Sequence, residues 1–173
     1  MKTSIYAISK CIVALLLLAP LAGCAGYKLG SNLPSNVHSV AVPVFVNQTG
    51  EPALETPTTS ATIQEFQKDG SLKVADRNTA DTIVEVTLKK YKLTPLRYRS
   101  DKATTAREYR MTLTAEVTWR RLPSMEIISP ATRVEGYTDF EALTDLPSAR
   151  RDALPDAALD LAHRIVRSIV EYW

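Results

Sequence analysis

The sequence predicts an α+β fold: two helices packed on one face of a mainly antiparallel four- to five-stranded sheet, an α/β sandwich. Three observations carry this. Residues 109–120, YRMTLTAEVTWR, place Tyr109, Met111, Leu113, Ala115, Val117 and Trp119 on one face, and Arg110, Thr112, Thr114, Glu116, Thr118 and Arg120 on the other. A strand so one-sided belongs to an antiparallel sheet with a core on one side and water on the other. Residues 82–93, TIVEVTLKKYKL, alternate in the same way, Val84, Val86 and Leu88 against Glu85, Thr87 and Lys89. Near the C-terminus Leu154, Ala158, Leu161, Ile165 and Ile169 recur at helical spacing and build one apolar stripe.

The remaining elements follow in order. Residues 37–47, VHSVAVPVFVN, read as a strand with Val40, Val42, Val44 and Val46 sharing a face. Pro43 has no N–H for a ladder, so this strand lies at an edge or is interrupted there. A helix is expected from Thr56-Pro57, with Thr56 as N-cap and Pro57 at the first helical position. Ile63 and Phe66 supply its apolar stripe, and Gly70 its stop. Leu72 and Val74 mark a short strand, and a weaker one spans about Thr132–Phe140. In the closing helix Asp160 and Arg164 form an i,i+4 pair. Pro155 either opens that helix or kinks one that starts near Ser148. The expected order is therefore β-α-β-β-β-β-α.

Length and composition are those of one globular domain: 173 residues, 45% hydrophobic and 23% charged. The first residues are of a different kind. Lys2 and Lys10 carry the only charges before position 28, and residues 11–19 are all apolar. That run is shorter than the roughly 20 residues a hydrocarbon layer requires, and a basic start with a short apolar run describes a secretory signal peptide. Leu21-Ala22-Gly23-Cys24 resembles the lipobox of bacterial lipoproteins. That resemblance implies cleavage after residue 23, a diacylglycerol thioether on the Cys24 sulfur and acylation of its new amine. Two or three acyl chains anchor stably, where one binds only marginally. The expected layout is a signal peptide over 1–23, a lipidated Cys24 with its tether over 24–36, and a single domain over 37–173. Without residues 1–23 the chain keeps Cys24 as its one cysteine, which leaves no intramolecular disulfide and no cysteine-based zinc site. Ala25 follows the cysteine rather than Asp, which within the lipoprotein resemblance implies the outer membrane, with the domain facing the periplasm.

No catalytic constellation stands out, and no catalytic residue is assigned. HExxH, GxSxG and a phosphate-cradling glycine loop are all missing from the sequence. His38, at a strand start, and His163, near the apolar side of a helix, read as structural or surface residues. The spacing of Asp139 and Glu141, or of Asp76 and Asn78, is commonplace. The expectation is a non-enzyme with no metal and no cofactor beyond the lipid on Cys24.

Charge is distributed unevenly. Without residues 1–23 there are 19 basic and 19 acidic residues, which argues against a nucleic-acid binder. Residues 89–110 nevertheless hold eight basic residues against two acidic ones. Arg97, Arg99, Lys102, Arg107 and Arg110 should gather at the tip joining two strands, with Tyr91, Tyr98 and Tyr109 interleaved. Arginine forks suit phosphates and carboxylates, and tyrosines offer flat faces to sugars or acyl boundaries. A plain solvated hairpin tip carries the same charges. Likewise the Thr-rich face of 109–120 is either simple solvent exposure or a polar contact surface, such as one met inside a water-filled β-barrel.

Taken in order, the motifs resemble the lipopolysaccharide-assembly lipoprotein family, LptE. Cys24, Gly26, Tyr27 and Leu29, then Leu33-Pro34, Ala41-Val42-Pro43, Phe45, Asn47 and Glu51-Pro52 stand in the family's order. The segments EFQKDGSLKV and EYRMTLTAEVTWR and the closing helix are similar too, so the resemblance covers nearly the whole chain after Cys24. Two departures are the extra Ala25 and the threonine-rich helix. The resemblance implies a plug-like outer-membrane lipoprotein seated in the LptD barrel, which helps that barrel assemble and pass lipopolysaccharide to the outer leaflet. The basic tip would then meet lipid phosphates, an assignment resting on charge clustering alone. The alternatives are a pilot or scaffold lipoprotein of another envelope complex, and a lipid-anchored periplasmic hydrolase.

Overall fold

The structure is a computed structural model and describes residues 33–34, 36–98, 106–143 and 145–171. In chain order these form β1 (Ser39–Ala41), β2 (Val46–Asn47), α1 (Glu55–Asp69), β3 (Lys73–Val74), β4 (Thr82–Tyr98), β5 (Ala106–Arg121), β6 (Ile127–Glu141) and α2 (Leu146–Val170). The expected order holds, with its first strand split in two.

The sheet is mainly antiparallel, as expected, with a short parallel part. Its strands run β3-β1-β4-β5-β6, with β2 beside β4 further along. β4, β5 and β6 form an antiparallel meander, while β1 lies parallel to β3 and β4, and β2 parallel to β4. The parallel part follows from α1: a helix between β1 and β3 returns the chain to the same end of the sheet.

Pro43 interrupts the first strand, as its missing N–H requires. The interruption also changes which side chains turn inward. Val40 and Phe45 are buried, whereas Val44 and Val46 are 68% and 55% exposed, so the expected four-valine face does not form. A shift of one residue across the break is enough to reverse the faces. The Phe45 N–H, left without a ladder partner, donates to Thr59 Oγ1 at 3.0 Å.

That bond explains part of the threonine content of α1. Thr58, Thr59 and Thr62 are buried, and their hydroxyls donate to the carbonyls of Leu54, Glu55 and Thr58. Each buried hydroxyl is thereby satisfied within the helix. The stripe is these threonines with Phe66, while Ile63 is only half-buried. The helix starts one residue before Thr56 and is capped by Leu54 without a side-chain hydrogen bond, so Thr56 is not the cap and Pro57 lies within the first turn. It ends as expected, Gly70 adopting φ +74° and donating its N–H to Phe66.

α2 starts at Leu146. Asp145 caps it, its carboxylate accepting from the Ser148 N–H at 2.9 Å, and Pro147 occupies the first turn. Pro155 therefore lies inside the helix and does not open it. Both helices cover the face that carries Val84, Val86, Leu88, Met111, Leu113, Ala115, Val117 and Trp119, and these join Phe66, Leu161, Ile165 and Ile169 in one core.

At Gly136 of β6 the fit is backbone on backbone. A methyl group there would collide with the main chain of Leu161. Overpacking of this kind costs about 1–3 kcal/mol or more. Gly136→Ala should therefore lower the unfolding free energy by about 1–3 kcal/mol, read by circular dichroism as a lower denaturant midpoint with an unchanged slope. A midpoint equal to that of the parent would show that α2 has room to move away.

Candidate functional site on the uncovered sheet face

The second face of the meander is polar along most of its length. Cross-strand rows place Thr87 with Glu116 and Arg133, Lys90 with Thr114 and Glu135, Lys92 with Thr112 and Tyr137, Thr94 with Arg110 and Asp139, and Arg97 with Glu108 and Glu141. A small apolar cluster of Ala41, Ala80 and Ile83 occupies the other end of this face, with Leu122 and Met125 of the β5–β6 turn packed on it. No helix covers the polar rows among the described residues, because both helices belong to the core on the opposite face.

The rows are electrostatically matched. Arg120 Nε lies 3.0 Å from a Glu85 oxygen, Lys89 Nζ 3.9 Å from Glu116, and Arg133 Nε 3.1 Å from Glu135. Arg110 grips Asp139 with two parallel bonds of 2.7 Å each. That fork raises the Arg110 pKa and holds the Asp139 carboxyl below its ordinary 3.8. Glu135 is also lowered, first by its bond to Arg133 and then, after the opposing effect of burial, by the Thr114 hydroxyl.

Of the expected tip residues, the structure brings Arg97, Arg107 and Arg110 to one end of the β4–β5 hairpin. Arg99 and Lys102 lie outside the described residues, as does Cys24. Each of the three described arginines already holds a carboxylate. Arg97 Nε is 3.2 Å from Glu108, Arg107 Nη2 is 3.4 Å from Glu141, and Arg110 holds Asp139. The local excess of positive charge in residues 89–110 is thus partly met by acids from β6, thirty residues away in sequence.

Several participants carry no local signal in the sequence. Tyr137 lies under two cations, the Arg110 and Arg164 guanidiniums standing 4.5 and 5.3 Å from its ring centroid. Its N–H, on the outer edge of β6, donates to Asp160 of α2 at 2.9 Å. Asp160 therefore serves the expected Arg164 pair and also closes part of the sheet edge. The two histidines have structural settings. His38 is exposed, only its backbone N–H donating to the Asp81 carboxylate, and His163 Nδ1 lies 3.1 Å from the buried Glu65 of α1. Among the described residues no group of three His, Cys, Asp or Glu side chains is placed to hold a metal.

The lipopolysaccharide-assembly family model LptE matches residues 37–169, which is most of the chain and takes in the whole sheet, α1 and all but the last residue of α2. The chain belongs to the LptE family. This is a family of non-enzymatic accessory lipoproteins of the outer membrane. Solved structures agree on the fold at low identity. A protein of Xanthomonas campestris has a TM-score of 0.56 at 10% identity, covering 83% of this chain and 91% of its own. A minor lipoprotein from Acinetobacter baumannii gives 0.53 at 12%, covering 79% and 94%. A Chlamydia trachomatis protein gives 0.54 at 11%, covering 79% and 97%. A comparison with curated proteins returns no match.

The Arg110 fork makes a pH prediction. A carboxyl depressed in the folded state contributes fully above its ordinary value, and that contribution is lost as pH falls through the depressed one. By carbon-13 NMR Asp139 should titrate below 3.8, and Arg110→Gln should return it toward 3.8. An unchanged midpoint in the variant would remove the fork as the cause.

Proposed function

We propose that this LptE-family protein is made with a signal peptide over 1–23, anchored to the outer membrane by lipid on Cys24, and seated through its free sheet face in the lumen of an LptD-like β-barrel. Residues 24–36 would be the tether and 37–173 the single functional domain. There it assists assembly of the barrel and contacts lipopolysaccharide on its way to the outer leaflet. The observation that carries the reading is the uncovered, charge-matched polar face of β4, β5 and β6. A barrel lumen is itself polar and lined by alternate side chains, so such a face can meet it without exposing apolar surface.

Arg97, Arg99, Lys102, Arg107 and Arg110 are the proposed lipopolysaccharide contacts. The pairing of Arg97 with Glu108 and of Arg107 with Glu141 does not oppose this. Exposed ion pairs stabilise little, and a phosphate group presents more charge and more acceptor oxygens than the carboxylate it replaces.

The test is mild-detergent extraction of the tagged protein from outer membranes, followed by mass spectrometry. The expected result is an acylated N-terminal Cys24, a large β-barrel in one-to-one amount, and co-purifying lipopolysaccharide. Arg97→Glu with Arg99→Glu should keep the barrel and lose most of the lipopolysaccharide. Recovery with a secretin or a cell-wall complex would move the function to a pilot lipoprotein. Undiminished lipopolysaccharide in the double variant would remove the tip from its binding.

A further inference from the structure

Beside the free face, β4 leaves one of its backbone edges open. On the side away from β5, β1 pairs with Thr82 and Ile83, and β2 with Thr87 and Leu88. The last bond on this side runs from the Gln48 N–H to the Leu88 carbonyl, at 2.9 Å. There the chain turns off, the Asn47 side-chain carbonyl accepting from the Thr49 N–H at 3.1 Å. β4 itself continues to Tyr98, with no strand on this side of it among the described residues.

The phase of the strand decides which groups line that edge. Side-chain and backbone directions alternate together, so the core-facing residues of β4 aim their N–H and carbonyl away from β5. Leu88 shows this through its bond to Gln48. Beyond the bulge after Leu88, Tyr91 and Leu93 take the core-facing positions, and Pro95 follows in phase. Pro95 has no N–H, and at this phase it breaks no ladder bond, which marks the side as an edge. Tyr91 and Leu93 each offer one donor and one acceptor to a further strand. The open lane over Lys89–Thr94 is about 20 Å long.

Charge along the lane is one-sided. From Val86 to Tyr98, β4 carries Lys89, Lys90, Lys92 and Arg97 and no acid. Lys89 and Arg97 meet Glu116 and Glu108 of β5. Lys90 and Lys92 are exposed and form no ion pair among the described residues. Edge lysines keep two copies from pairing edge to edge, since like charges would lie opposite each other. The same lysines favour an added strand that brings carboxylates.

We infer that the edge of β4 over Lys89–Thr94 takes an extended segment of a partner protein, with acidic side chains at alternate positions. Its backbone pairs with Tyr91 and Leu93 in the lane that β2 leaves, and its carboxylates fall beside Lys90 and Lys92. Main-chain bonds supply affinity, and the alternate side chains supply selectivity. The inference stands apart from the barrel reading, since a contact with the sheet face covers side chains and leaves these two amides unbonded.

The experiment is amide hydrogen exchange on the full chain, resolved to single residues, with its bound proteins from native outer membranes and alone. Exchange at Tyr91 and Leu93 should slow at least tenfold in the bound state. The Lys90 and Lys92 amides, already bonded to β5, should change little. Equal exchange at Tyr91 and Leu93 in the two states overturns the inference, whether or not a barrel co-purifies. The acidic preference is read on the isolated chain with two synthetic probes, an alternating Glu-Thr peptide and its Lys-Thr counterpart. Only the Glu-Thr peptide should protect Tyr91 and Leu93. Leu93→Pro, which removes an edge donor without breaking a bond to β5, should weaken its binding at least tenfold. Lys90→Glu with Lys92→Glu, a surface change that spares packing, should transfer the preference to the Lys-Thr peptide. Undiminished binding in Leu93→Pro, or a preference unmoved by the charge reversal, also overturns the inference.

Discussion

The docking of α2 on β6 at Gly136 is the contact on which the rest of the architecture depends. With no side chain between helix backbone and strand, Leu161 sits directly on the sheet, and Ala157, Ala158, Ile165 and Ile169 reach the core. The same approach lets Asp160 reach over the edge of β6 to the Tyr137 N–H. An edge strand with open donors invites pairing with another chain, and a helix-borne carboxylate at that edge blunts it. One small residue thereby lets α2 settle on the face of the sheet that the apolar alternation of β4 and β5 selects, and the other face stays uncovered.

Helix and strand lengths then determine what projects. α2 has 25 residues, which at the helical rise is about 37 Å. β4 has 17, which at the strand rise is about 56 Å. The helical layer is too short to cover the meander, so the β4–β5 hairpin arm extends beyond it. Along this arm the inward side chains become more exposed: Met111 is buried, Leu93 half-buried and Pro95 exposed, and Tyr109 stacks on Phe140 at 5.9 Å. On the opposite face the arm carries ion pairs between adjacent strands. These are exposed pairs, each of small energetic consequence.

Much of the fold was legible because it is periodic. The alternation of β5 and the stripe of α2 each report burial on one side, and both appear where the residues place them. The Pro43 break was legible too, but its effect on phase was not. Whether Val44 or Phe45 turns inward depends on how many residues the break contains. The start of α1 was misplaced because Thr56-Pro57 carries the usual start signal, whereas the helix begins at Glu55 with Leu54 as a cap that makes no side-chain bond. Only the short parallel part of the sheet was not legible, because β1, β2 and β3 are two or three residues long, too short to show a period. The site was least legible. Composition showed the basic tip, but Glu108, Asp139 and Glu141 reach its arginines through strand pairing. Arg150 and Glu51 are 99 positions apart and meet only in the folded chain.

The proposed function makes the free face of β4, β5 and β6 the surface that meets a barrel. Site-specific photo-crosslinking from Lys92 tests it most directly, since Lys92 is exposed and sits in a middle row of that face. Leu159, 51% exposed on α2, is the comparison position. An adduct from Lys92 to lumen-facing residues of an outer-membrane barrel is the expected result. Barrel adducts from Leu159 with none from Lys92 would contradict it, and would place the helical layer at the interface instead.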